Sequence, residues 1–297
     1  MPTRVLNCFR FQSPVARSAP LVKKFRRIIF LGALLVCVTR AWPQNTPSKF
    51  TVTGFYIDHV ETAHLSFIHE ANQWFSQTAT QYHFSYEATT NWSQLNAEYL
   101  AHCQVVIFLD ARPKDPAQRA AFENYMKHGG AWMGFHYAGF ALTPSDDPQN
   151  WDWFHCQFLG AGEYLSNTWR PTWAVLRVED SHHPATRGLP ATFVSAPNEW
   201  YRWKNNVRTN ADIQVLLSID PASFPLGTGP KPEEIWHSGD YPVVWTNRKY
   251  KMIYFNMGHN DLGPDYGAKK SSSTFSSEME NKLILNALLW LGGSTSN

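Results

Sequence analysis

Four strand-like segments, most of them apolar and the second alternating, each divided from the next by a stretch with helical periodicity, constrain this chain more than any other feature. "FTVTGFYI" (50–57), "YHFSYEA" (82–88), "QVVIFLD" (104–110) and "AWMGF" (131–135) read as strands. The first gap, "HLSFIHEANQWFSQTA" (64–79), carries Leu65, Ile68 and Phe75 at helical spacing, and "WSQLNAEYLAHC" (92–103) reads as a second helix. In the third gap Asp115 precedes Pro116 as an N-cap, and Gly129 and Gly130 end the helix. Strands that are apolar on both faces cannot leave one face to water, so helices must cover both. The expectation is an α/β fold: three layers around a doubly wound, mostly parallel sheet.

The second half is less regular. "NWDWFHCQFLGAGEY" (150–164) reads as a helix breaking at its glycines, "WAVLRVED" (173–180) as a strand, and "HHPATRGLPATFVSAPNEWYRW" (182–203) as a long aromatic loop. "IQVLLSID" (213–220) and the pair within 241–260, joined by a polar turn at Asn247 to Tyr250, restore strand character. The closing helix, "SEMENKLILNALLWL" (277–291), buries Leu283, Ile284, Ala287, Leu288 and Leu291, with Gly292 at its end. The organisation expected is a signal segment at 1–41, a short linker at 42–49, one domain at 50–293 and a tail at 294–297.

"KKFRR" (23–27), the twelve apolar residues 28–39 and a polar, proline-containing stretch give the order of a secretory leader, too short to span a bilayer, where about 20 residues are needed. Export to the periplasm or outside the cell is expected, with cleavage near Ala41 and no membrane contact once the leader is gone. Val36 before Cys37 argues against a lipoprotein anchor. With 26 Lys+Arg against 24 Asp+Glu, nothing points to a phosphate-tracking surface, and no nucleic-acid partner is expected. Cys103 and Cys156, the two cysteines beyond the leader, form either one disulfide or two thiols.

In open parallel sheets ligands bind beyond the carboxyl ends of the strands. Polar residues just past a strand are therefore the candidates: His136 after "AWMGF", His259 and Asp261 after "MIYFNMG", and His64 after the first strand. "G-F-H-Y-A-G" around His136 has the spacing of a strained strand-to-helix elbow. In His259-x-Asp261 a carboxylate can hold an imidazole's tautomer. Glu199, Trp200 and Tyr201 lie in the aromatic loop, within a group of six tryptophans (Trp151, Trp153, Trp169, Trp173, Trp200, Trp203) whose flat faces could stack on a sugar ring or fill the core. For each polar candidate the alternative is a satisfied core or surface residue, and His59 is expected to be exposed.

"GGAWMGFHYA", "FLGAGEY", "HHPATRGLP" followed by "NEWYRW", and "PVVWTNRKYKMIYFNMGHND" with the final "NALLWL" together resemble the trehalose-utilisation (ThuA-like) proteins over residues 50–293. The resemblance implies a flavodoxin-like fold similar to that of the class I glutamine amidotransferases, and a role in carbohydrate metabolism. Amidotransferases place cysteine at the elbow, whereas this chain has His136, so thiolate-based glutamine hydrolysis is excluded. What remains is a small-carbohydrate site with His136, His259, Glu199 and Asp261 as catalytic candidates and His64, Trp200 and Tyr201 as substrate-binding ones. His136, His259 and Glu199 are candidate ligands of a divalent metal such as Zn²⁺, and no nucleotide cofactor is expected. Hydrolysis, elimination and isomerisation of a sugar, keto-sugar or glycoside all suit this set. A non-catalytic sugar-binding or accessory domain is the alternative.

Overall fold

The first half folds as alternating strand and helix because runs such as Val105–Leu109 and Ala131–Phe135 can be buried on both faces only between helical layers. The computed structural model describes residues 48–60, 62–143, 151–168, 171–224, 239–260 and 271–293. The leader at 1–41, the tail at 294–297, Trp169 and Asp261 lie outside them. Strands β1 (Thr51–Phe55), β2 (Ser85–Thr89), β3 (Val105–Leu109) and β4 (Ala131–Phe135) alternate with helices α1 (Thr62–Tyr82), α2 (Ala97–Leu100) and α3 (Pro116–Lys127). There follow β5 (Tyr164–Asn167), β6 (Val175–Val178), β7 (Thr192–Val194), β8 (Tyr201–Trp203), β9 (Ile213–Ile219), β10 (Pro242–Asn247), β11 (Tyr250–Phe255) and α4 (Glu278–Leu291). Among these described residues no helix is long and apolar enough to cross a membrane.

Nine strands form one sheet in the order β2-β1-β3-β4-β11-β10-β9-β6-β7, while β5 and β8 make a separate antiparallel pair. The pairings from β2 to β11 are parallel and those from β11 to β7 antiparallel, so only β6 and β10 run against the other seven. The sheet is thus mostly parallel in direction, and its first five strands have the doubly wound 2-1-3-4-5 order, which reverses between β1 and β3.

Alternate residues of each strand feed two cores. Val105, Ile107 and Leu109 of β3 join Phe67, Ile68 and Phe75 of α1 and Leu283, Ile284 and Leu288 of α4. Val106 and Phe108 join Phe122 and Met126 of α3, with Trp132, Phe154 and Phe158. The Phe108 and Phe122 rings lie 4.8 Å apart, and each fully buried aromatic of this kind contributes about 2–3 kcal/mol.

Three expectations need correction. The helix expected over 92–103 is a 3₁₀ turn at Trp92–Gln94 followed by the one-turn α2. Asn96 breaks it: extended at φ −133° and ψ 167°, its side chain accepts the Tyr99 N–H, which is cap chemistry rather than helix interior. The helix expected over 150–164 is a single π-helical turn, Trp153–Phe158, after which Gly160 and Gly162, both at positive φ, turn the chain into β5. The aromatic loop contains β7 and β8, three residues each and too short to show a period. Cys103 and Cys156 are both free thiols.

Glu280, in the first turn of α4, is fully buried; its carboxylate accepts the Ala196 N–H at 2.6 Å and leaves Oε1 without a partner. Burial pushes this carboxyl up to about 8 from an ordinary 4.5. Between those two values the native protein holds a proton that the unfolded chain releases, so stability falls as pH rises through that window and is flat outside it. Glu280→Gln removes the dependence. Its stability relative to wild type is expected to climb by about 2–4 kcal/mol between pH 4.5 and 8, measured by urea denaturation across that range.

Candidate functional site

The carboxyl ends of four parallel strands deliver four polar side chains to one place. His64 follows β1 in the first turn of α1, Asp110 follows β3, His136 follows β4 and His259 follows β11. Asp110 and His136 sit at φ 51° and 41°, a left-handed conformation that costs a non-glycine residue about 1–3 kcal/mol and that the surrounding packing must enforce. At His136 the enforcement is visible: Tyr254 Oη donates to its carbonyl at 2.7 Å, and Gly258 backs directly onto its Cβ.

The fifth group, Glu199, arrives from the aromatic loop. Its backbone N–H donates to the His259 carbonyl at 2.8 Å, Asn198 Oδ1 accepts the Gly258 N–H at 3.1 Å, and the Asn256 amide makes two bonds to the Tyr201 backbone, at 2.8 and 3.0 Å. These contacts zip the two loops together and fix the carboxylate over the sheet. Its Oε2 lies 3.0 Å from His259 Nδ1 and 3.4 Å from His136 Nε2, while Oε1 accepts the Asn167 amide. Asn167 is in turn held by Tyr164 Oη at 2.8 Å.

Electrostatics follow from burial and pairing. Burial alone would raise the Glu199 carboxyl, but the two imidazoles facing Oε2 hold it well below the usual carboxylate range. Burial holds His136 below its ordinary value, against the pull of Glu199. The site therefore contains an ionised carboxylate beside a neutral, fully buried imidazole at pH 7. His64 Nδ1 meets Asp110 Oδ2 at 2.6 Å, and its side chain is 12% exposed where those of Asp110 and His136 are fully buried, so His64 marks the way in. The ring nitrogens of His64, His136 and His259 include one from each that lie within 4.8 Å of one another, close enough to share a single ion. Glu199, the other candidate ligand, faces two of the three.

The structure brings together His136, His259, Glu199 and His64, with Tyr201 as a wall whose ring centre is 4.0 Å from that of His136. Trp200 is a correction. It is fully buried in the core on the α1 and α4 side, with its indole N–H donating to the Thr172 carbonyl at 2.7 Å, so it presents no face to a ligand. Trp200→Phe is expected to cost about 1–2 kcal/mol in stability and leave sugar affinity unchanged, checked by thermal melting and calorimetric titration. Trp151 and Trp153 are also core, while Trp173, expected as a gap-filler or sugar platform, is 46% exposed. The aromatics at the entrance are instead Tyr137, 5.2 Å from His64, and Phe140, stacked on Tyr137 at 4.8 Å. His59 is exposed and pairs with Asp58.

Two residues were missed. Asp110 is the last letter of "QVVIFLD", and the rule that singled out His136 applies to it equally. Asn167 lies in the four-residue β5, for which the sequence carries no periodic signal.

Comparison with known proteins gives concordant results. The sequence model of the trehalose-utilisation family, ThuA, matches residues 56–291. A crystal structure of a ThuA-like protein from Bacteroides uniformis ATCC 8492 is 36% identical, with a TM-score of 0.72, over 84% of this chain and 95% of that one. A ThuA-like protein from Parabacteroides merdae ATCC 43184 shares the fold at 15% identity and a TM-score of 0.59, over 84% of this chain and 92% of that one. Comparison with curated proteins gives no match.

Proposed function

This chain belongs to the ThuA, trehalose-utilisation family, and from that premise we propose that it is an exported enzyme acting on a small sugar, keto-sugar or glycoside. The observation that carries the proposal is the Glu199 carboxylate, 5% exposed, held against both His136 and His259 at the carboxyl ends of the strands. An ionised carboxylate and a neutral imidazole 3.4 Å apart are the groups needed to take a proton from a sugar carbon or hydroxyl and return one to a glycosidic or carbonyl oxygen. Hydrolysis, elimination and isomerisation all use that exchange. Tyr137 and Phe140 offer apolar faces for the C–H side of a pyranose, with His64 and Glu199 beyond them for its hydroxyls. The basic, apolar and polar order of residues 23–48 supports export.

The test is to incubate the purified chain with small glucosides, trehalose among them, and with their keto derivatives, and to follow products by NMR. At least one member of the panel is expected to be converted. Binding of a sugar without any conversion would replace this reading by that of a carbohydrate-binding module.

A further inference from the structure

We propose that His64, His136 and His259 form a three-imidazole site for a first-row divalent ion of the zinc type, with Asp110 and Glu199 standing behind the ligands rather than among them. The proposal deepens the sugar reading by naming what the pocket holds, and uses the same side chains.

Three observations carry it. The first is an orphaned imidazole. His136 is fully buried, and its Nδ1, the ring nitrogen that does not face Glu199, has no hydrogen-bond partner. Buried polar atoms in native proteins are paired, and an unpaired nitrogen on a fully buried ring asks for a missing partner. A cation at the centre of the cluster supplies it.

The second is the disposition of the carboxylates. Asp110 Oδ2 takes His64 Nδ1 at 2.6 Å; Glu199 Oε2 faces His259 Nδ1 at 3.0 Å and His136 Nε2 at 3.4 Å. Each imidazole thus turns one nitrogen to a carboxylate, which is the arrangement that fixes the tautomer and raises the basicity of metal-bound histidine. Two carboxylates, 0% and 5% exposed, also supply the negative charge that a buried divalent ion requires.

The third is the fit of donor set and spacing. Nitrogens around a tetrahedral zinc are about 3.3 Å apart, so a cluster already within 4.8 Å closes by small ring rotations. Imidazole donors select zinc, cobalt, nickel or iron over magnesium and calcium, which prefer oxygen. Both free thiols lie elsewhere: Cys103 packs beneath β3 in the α3-side core, and Cys156 is exposed on the π-helical turn. The partly exposed His64 leaves a path by which a water or a sugar hydroxyl reaches the remaining coordination position.

The test uses the purified chain, stripped with a chelator and titrated with Zn²⁺ against a chromophoric competitor and with Co²⁺ in the visible range. One equivalent of Zn²⁺ per chain is expected, and Co²⁺ is expected to give the intense bands of a four- or five-coordinate nitrogen-rich site. Alanine at His64, His136 or His259 is expected to weaken binding by 100-fold or more, and Asp110→Asn by about 10–100-fold at unchanged stoichiometry. His59→Ala, on the exposed surface, leaves it unchanged. The Co²⁺ spectrum of the wild-type chain keeps the test decisive even where a variant fails to fold. Less than one equivalent bound at micromolar Zn²⁺, or wild-type affinity in His64→Ala, would overturn the proposal. Sugar turnover by a chain that binds no Zn²⁺ overturns this inference alone, whereas one tightly bound ion without any turnover leaves it standing and removes the enzymatic reading.

Discussion

Glu199→Gln is expected to lower turnover of the responsive sugar by about two to four orders of magnitude while leaving the fold intact. Glutamine matches glutamate in shape, so its carbonyl can still accept the Asn167 amide, and the backbone bond from residue 199 to the His259 carbonyl is untouched. What disappears is the negative charge at Oε2, which sits between His136 and His259. Two effects then act in the same direction: the base is gone, and the amide that replaces it presents a donor where both imidazoles met an acceptor. The loss should fall on kcat rather than KM, because the apolar faces of Tyr137 and Phe140 that seat the sugar ring are unchanged. A merely structural role for Glu199 would reverse this pattern, with a lowered melting temperature and an unaltered kcat. Steady-state kinetics and circular dichroism on the same preparation separate the two.

Gly258→Ala is the second large effect, and here the target is geometry. Gly258 adopts φ 146°, and a methyl group placed there would lie 2.8 Å from His136 Cβ, 3.3 Å from Asp110 Oδ1 and 3.4 Å from Phe67 Cε1. None of these neighbours can step aside. His136 is pinned through its carbonyl by Tyr254, Asp110 accepts the Tyr137 N–H at 3.0 Å while holding His64, and Phe67 is fully buried beneath α1. Backbone strain of about 1–3 kcal/mol and overpacking of about 1–3 kcal/mol give an expected destabilisation of about 2–6 kcal/mol. Urea denaturation measures it, and an alanine variant as stable as wild type would show that His136 is not wedged as described.

The parts of this molecule that were legible in the sequence are those governed by burial on a simple period. Strands β3 and β4 are unbroken apolar runs because the sheet is covered on both faces, and α3 announces itself through Asp115, whose side chain accepts the Ala117 and Gln118 N–H groups, and through Pro116. His136 and His259 were legible because polar residues directly after such strands have few other reasons to be there. Legibility failed where side-chain hydrogen bonds overrule periodicity, as at Asn96, and where strands are too short to alternate, as at β5 and β8. It failed also for Trp200: an aromatic residue beside a glutamate in a polar loop looks like a ligand contact, and nothing local reveals that the Thr168 hydroxyl takes its N–H and the Thr172 carbonyl its indole, turning the ring into the core while Glu199 stays over the sheet.

The claim on which the rest stands is that one carboxylate serves two imidazoles delivered by different strands. Long-range ¹H–¹⁵N NMR of the ring nitrogens of His136 and His259, recorded in the wild-type chain and in Glu199→Gln, examines it directly. Both rings are expected to shift when the charge is removed. A response confined to one ring, or absent from both, would contradict it.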